Sequence, residues 1–178
     1  AFKHSPMVIF DVFNEPDDTN PAISDHWGFW LHGGNVNGTT YVGMQDLVNA
    51  IRQQGAQQPI VVEAIVAYGL NNIGNDLIND PNIIYSWHHY FINKKERTMS
   101  DWDKLFGDFS ASHAVLVGEW AFLPNALHKS FCQGVSHSEA TRLVEDFLSY
   151  MQQHNVSWVV WNFEPTHLIT DYNTYTPT

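Results

Sequence analysis

The stretch "VIFDVFNEP", Val8 to Pro16, decides how the chain reads. Between Val8 and Phe13 only Asp11 is not apolar. A nearly continuous apolar run suits a strand buried on both faces, as in parallel sheets. The run then stops on an amide, a carboxylate and a proline, Asn14-Glu15-Pro16. In parallel α/β sheets ligands gather at the carboxyl ends of the strands, so a polar triplet there is a candidate site as well as a turn.

Working outward, similar runs occur at Met7–Phe13, Pro59–Ile65, Ile83–Tyr90, Ala114–Phe122 and Val156–Phe163. Amphipathic segments lie between them. Val42, Met44, Leu47, Val48 and Ile51 follow helical spacing within Tyr41–Gln54, and Gly55 supplies a stop. Ala140, Leu143, Val144, Phe147, Leu148 and Met151 form one stripe in Ser138–His154, with Ser136 or Ser138 as cap and Glu139 in the first turn. Asp101–Phe109 predicts a shorter helix, and Asn71–Asp80 one or two helical turns. The alternation implies an α/β chain with a parallel sheet. Asp17–Thr40 and Leu123–His137 read as long loops after the first and fourth strands, and long loops in compact domains are usually functional or mobile.

With 178 residues, 44% of them hydrophobic, the chain has material for one core. Its net charge of −11, from 8 Lys+Arg against 19 Asp+Glu, argues against nucleic acid, whose binding rests on phosphate neutralisation. Seven Trp, seven Tyr and eleven Phe suit a neutral partner with flat apolar faces, such as a sugar chain. Cys132 is the sole cysteine, so no intrachain disulfide or Cys-based zinc site is expected. No apolar run reaches the ~18 residues of a membrane span, and the first residues lack the order of a signal peptide.

Four of the five strand-like runs carry a Glu near their carboxyl end: Glu15, Glu63, Glu119 and Glu164; the other ends in "SWHHY". Two carboxyls across one site are the equipment of glycosidic cleavage. One protonates the leaving oxygen, and the other attacks the sugar carbon or activates water. Their environments must differ so that one is protonated while the other is ionised.

The ordered set "VIFDVFNEP", "IIYSWHHY", "VLVGEWAF" and "WVVWNF" resembles the fourth, sixth, seventh and eighth strands of glycoside hydrolase family 5, the cellulase-like family of clan A (β/α)8 barrels. The resemblance implies a TIM-barrel-type fold of which residues 1–178 carry about five strands, without the first three β/α units. By the same resemblance Glu15 is the general acid/base, Asn14 binds the sugar 2-hydroxyl, and Glu119 is the nucleophile. Tyr90 orients that nucleophile, His88 contacts sugar or the acid/base, and Trp161 floors the site. Period-2 alternation places His88 and Tyr90 on one strand face and His89 on the other. The implied chemistry is retaining double displacement on β-1,4-glucan or a related β-linked polysaccharide. It needs no metal or organic cofactor, and its carboxyls stand roughly 5–5.5 Å apart. Secretion is implied by the same resemblance.

Other readings remain open. The ten His, with His88-His89 adjacent, raise zinc, but there is no H-E-x-x-H, and adjacent strand residues face opposite ways. Asp17, Asp18 and Asn20 could bind calcium or simply cap a loop. Glu164 in "NFEP" competes with Glu15 as the acid. Tyr68 and Asn71 could line a subsite, and Trp27 and Trp30 could form a sugar platform or pack their loop down. A (β/α)8 barrel takes ~250 residues. The family's Arg and His from the earlier strands have no counterpart here, so the chain reads as a piece of a longer polypeptide, as a partial barrel that pairs into a homodimer through open sheet edges, or as a weakly active or inactive sugar binder.

Overall fold

The computed structural model describes residues 2–17, 20–66, 68–91, 96–121, 136–162 and 171–176. Glu164, Cys132, Asp18 and most of the expected loop Leu123–His137 lie outside the described residues. The chain forms two compact units, Ala1–Trp87 and His88–Thr178.

In the first unit β1 (Phe10–Asp11) pairs in parallel with β4 (Ile60–Glu63), matching Phe10 to Ile60. β4 pairs in parallel with β5 (Ile83–Tyr90), matching Ile60 to Ile83 and Glu63 to Ser86. β4 is buried along its whole length, as its apolar run predicts. β1 departs from expectation. It is only two residues long, and Ile9 and Phe13 beside it are 57% and 54% exposed. Among the described residues it is the outer strand of this set, paired on one side alone, and an apolar run is buried on both faces only where both are covered.

Asp17–Thr40 is not an irregular loop. α1 (His26–His32) starts where the Asp25 carboxylate accepts the Gly28 N–H at 3.1 Å, and it buries Trp27, Trp30 and Leu31. A hairpin follows, β2 (Gly33–Val36) with β3 (Thr39–Val42). Its turn residues Asn37 and Gly38 have φ of 52° and 84°. Asn-Gly is the pair such a two-residue turn prefers, and that signal stood in the sequence. At Gly33 a Cβ would come within 2.2 Å of the Tyr41 carbonyl oxygen, so only glycine joins α1 to the hairpin here.

α2 (Met44–Gln53) buries Met44 and Val48 and ends at Gly55, whose φ of 84° suits a helix stop. Arg52 in its last turn forks onto both Asp80 oxygens at 2.7 and 3.0 Å, and donates to the carbonyls of Ala56 and Gln58. The Arg52 hydrogen bonds hold the Asp80 carboxyl below its ordinary range. One guanidinium thus ties the helix end to the chain entering β4. The expected Asn71–Asp80 turns reduce to one 3₁₀ turn, Leu70–Asn72.

In the second unit β6 (Val115–Ala121) pairs in parallel with β7 (Ser157–Val160). The predicted Asp101–Phe109 helix runs as α3 (Met99–Trp102), a π-helical turn (Asp103–Gly107) and α4 (Asp108–Ser110). The widened turn lies where the Tyr150 hydroxyl donates to Asp103 at 2.6 Å. At Gly107 a Cβ would overlap that hydroxyl at 1.7 Å. α5 (His137–Gln153) begins in a capping box formed by Ser136 and Glu139. Ala140, Leu143, Phe147, Tyr150 and Met151 are its buried face. Phe147 meets Phe91, Trp102 and Trp120 edge to face at 5.1, 4.9 and 5.6 Å, in the T-shaped arrangement that aromatic pairs favour. β7, like β1, was expected to be buried on both faces, but Trp158 and Val159 are exposed. Its recorded pairing is to β6 alone, so one side of the strand carries no sheet neighbour among the described residues.

His89 lies in this aromatic core, 4.4 Å from Phe91 and 4.9 Å from Phe147, and burial pushes its pKa down to about 3. It stays neutral folded but protonates when unfolded, so stability falls as pH drops below the unfolded value near 6.5. Between pH 6.5 and 4.5 the slope should approach 1.4 kcal/mol per pH unit. Urea unfolding at stepped pH reads it, and His89→Leu should flatten that window. Arg52→Met should cost about 2 kcal/mol in the same assay at pH 7, because the Asp80 carboxyl and the Ala56 and Gln58 carbonyls lose their donor together.

Candidate active site

The strand ends carry the residues singled out from the sequence. In the first unit, the Val12 N–H reaches the Val61 carbonyl at 3.3 Å, and the chain then leaves β1 through Asn14, Glu15 and Pro16. Asn14 and Glu15 are exposed. Glu15 has a φ of 46°, the left-handed region that a side chain other than glycine rarely adopts. Two ties hold the triplet to the segment at the end of β4. The Glu15 N–H donates to a Glu63 carboxylate oxygen, and the Val66 N–H donates to the Pro16 carbonyl at 3.0 Å. Glu63 is not a solvated strand-end carboxylate, because it is 2% exposed.

Beside the triplet lies a cavity of about 370 Å³ whose walls include Phe13, Asn14, Glu15, Phe29 and Tyr41. Phe29 and Tyr41 meet at 5.7 Å, so α1 and the hairpin form its aromatic side. Tyr41 is 48% exposed and presents a ring to solvent. Trp27 and Trp30 pack, although Trp30 also lines the cavity. They are buried, meet edge to face at 5.4 Å, and the Trp30 indole N–H donates to the Glu63 carbonyl at 2.8 Å. Tyr68 packs on His26 at 5.2 Å.

In the second unit His88, Tyr90 and Glu119 come together. The Tyr90 hydroxyl donates to Glu119 Oε2 at 2.5 Å, and His88 Nδ1 lies 3.5 Å from the same oxygen. The Glu119 side chain keeps 15% of its surface exposed. A carboxylate whose one oxygen is held by a phenol is fixed in rotation, and its other oxygen can be presented to a reacting atom. His89 points into the core, on the opposite face from His88, as alternation predicts.

Glu119 sits on an irregular strand. β6 pairs Val117 with Trp158 but Trp120 with Val160, so β6 fits one extra residue into the interval that holds Gly118 and Glu119. Such bulges re-aim a side chain beside a site, and a glycine within a strand is their usual mark. Gly118 carries that signal in "VLVGEWAF", inside the apolar run Ala114–Phe122. Val115 and Val117, earlier on the same strand, are buried. Trp161 follows β7, its N–H donating to the Trp120 carbonyl at 2.9 Å, with its side chain 44% exposed.

The profile of the Cellulase family, glycosyl hydrolase family 5, matches residues 1–167. Among solved structures, a β-glucanase from Saccharophagus degradans is 20% identical with a TM-score of 0.73, over 99% of this chain and 52% of that one. The same β-glucanase in complex with cellotetraose gives 19% and 0.71, with the same coverage. The catalytic domain of the major endoglucanase from Xanthomonas campestris pv. campestris gives 17% and 0.67, over 99% of this chain and 55% of that one. The chain spans about half the length of these structures. The likeness gives the fold as a partial barrel of the (β/α)8 type.

The left-handed backbone at residue 15 has a testable sign. In ordinary strand or helix, Gly is less stable than Ala. At residue 15 the order should invert, with Glu15→Gly more stable than Glu15→Ala by about 1 kcal/mol in urea unfolding.

Proposed function

The chain belongs to glycosyl hydrolase family 5, and from that premise we propose that it contributes the catalytic carboxyls of a retaining β-glycosidase acting on β-1,4-glucan or a related β-linked polysaccharide. The observation that carries this reading is the Tyr90–Glu119 hydrogen bond beside His88. It holds the carboxyl in one rotation, as a nucleophile needs.

In this reading Glu119 attacks the anomeric carbon as Glu15 protonates the departing glycosidic oxygen, giving a covalent glycosyl ester. Glu15 then takes a proton from water, the water oxygen bonds to the anomeric carbon, and the Glu119 ester bond breaks. Asn14 sits beside the acid, where its amide can bind the 2-hydroxyl. Trp161 offers an exposed ring to the sugar face. The exposed Tyr41 ring suits the same polymer. Such a substrate is met outside the cell, which is why we expect the protein to be secreted. No helix among the described residues is long and apolar enough to cross a membrane.

A second reading concerns association. β1 and β7 each leave apolar side chains exposed, Ile9 and Phe13 by one and Trp158 and Val159 on the other. Open apolar edges of this kind invite a partner, and a second copy of the chain is one that could cover them. Sedimentation should then show a dimer, with turnover rising faster than linearly in protein concentration; a monomer of linear activity would contradict it.

Turnover of a soluble chromogenic β-glucan tests the main reading. Glu119→Gln should lower it on the order of 10³-fold or more while leaving the unfolding midpoint within about 1 kcal/mol of the parent. Equal turnover by parent and variant would remove the enzymatic reading and leave a carbohydrate-binding partial barrel.

A further inference from the structure

We propose that Glu63 is a positioning residue for Glu15, its buried carboxylate setting the backbone from which the acid/base side chain projects; this rests on the reading of Glu15 as acid/base. Glu63 is the last residue of β4, the most fully buried strand of its unit, where its neighbours are Ile60, Val61 and Val62. A carboxylate among such neighbours is costly unless donors meet it. One donor is the amide of Glu15, from 48 residues earlier. That amide belongs to the residue of the triplet with left-handed φ, a conformation that persists only where the surroundings impose it.

Glu63 is itself held. Its carbonyl accepts the Trp30 indole N–H at 2.8 Å. The next residue's N–H donates to the Ser86 carbonyl at 2.8 Å, which keeps the strand end in register with β5. The Val66–Pro16 bond secures the far side of Glu15. The triplet is therefore clamped before and after Glu15, and on the amino side the clamp is a side chain, which a substitution can remove without touching Glu15. Without it residue 15 can relax toward negative φ. Its carboxyl then leaves the path of the departing oxygen, while nucleophilic attack is untouched.

Leaving-group dependence separates this role from a general structural one. An oligoglucan needs its leaving oxygen protonated, whereas a dinitrophenyl β-cellobioside does not. For Glu63→Leu, kcat/KM on the oligoglucan should fall about 100-fold, within the range a positioned acid supplies. On the dinitrophenyl glycoside kcat/KM should stay within about twofold, since it reports only the first chemical step. Equal losses on both substrates, or none on either, would overturn the proposal. A second readout is independent of turnover. In nitrogen-15 NMR the Glu15 amide should exchange slowly in the parent and in Glu63→Gln, which keeps an acceptor. In Glu63→Leu it should exchange fast while the β4 and β5 amides keep their protection. An unchanged Glu15 amide in Glu63→Leu would overturn the proposal even if no substrate is turned over, an outcome that would count against the hydrolase reading alone. Should Glu63→Leu fail to fold, Glu63→Ala at reduced temperature carries the same two readings.

Discussion

Parallel pairing is the constraint from which the rest of the arrangement follows. β1, β4 and β5 run the same way in one unit, and β6 and β7 run the same way in the other. Parallel neighbours cannot be joined by a tight turn, so the chain must cross back each time through a longer connection. All carboxyl ends in each set then lie along one edge, facing the segments that leave the strands. Asn14, Glu15 and Glu63 share such an edge, as do Glu119 and Trp161. Apolar burial supplies the stability. Ile60, Val61 and Val62 are each almost fully buried, and a side chain of that kind contributes about 1.5–3 kcal/mol. The polar strand ends draw on that surplus.

Strain and buried polar groups concentrate where the chemistry is read. Glu15 has a left-handed backbone, Glu63 is a carboxylate inside an apolar strand end, and Glu119 stands in the interval where β6 takes an extra residue. Each breaks a local rule that a purely structural sequence would keep, and such breaks are expected at functional sites. The contrast with Arg52 and Asp80 is informative. That pair is just as well hydrogen-bonded, but it joins a helix end to a strand start, at the opposite end of the β4 unit from Glu15. Its role is to hold the crossover.

Much of this was legible in the sequence wherever periodicity carried it. β5 spans Ile83–Tyr90, the run read from its apolar residues, and α5 begins at the Ser136 cap. The meeting of His88 and Tyr90 on one face needed only the two-residue repeat of a strand. The Asn37-Gly38 hairpin and the Gly118 bulge also have local signals, an Asn-Gly pair inside a stretch that reads as a loop and a glycine inside an apolar run. The shortness of β1 and the exposure of β7 were not legible, since an apolar run does not say whether a neighbour covers it. Nor was the role of Glu63, whose partner is 48 residues away and is a backbone amide.

In the proposed reaction Glu119 and Glu15 act in succession, one as nucleophile and the other as acid and then base. Two displacements at one carbon preserve its configuration, whereas a single attack by water inverts it. The most direct measurement is proton NMR of a cello-oligosaccharide digest, followed from the first minutes before mutarotation. Double displacement makes the β anomer of the new reducing end appear first and decay to the equilibrium mixture. First appearance of the α anomer would contradict it.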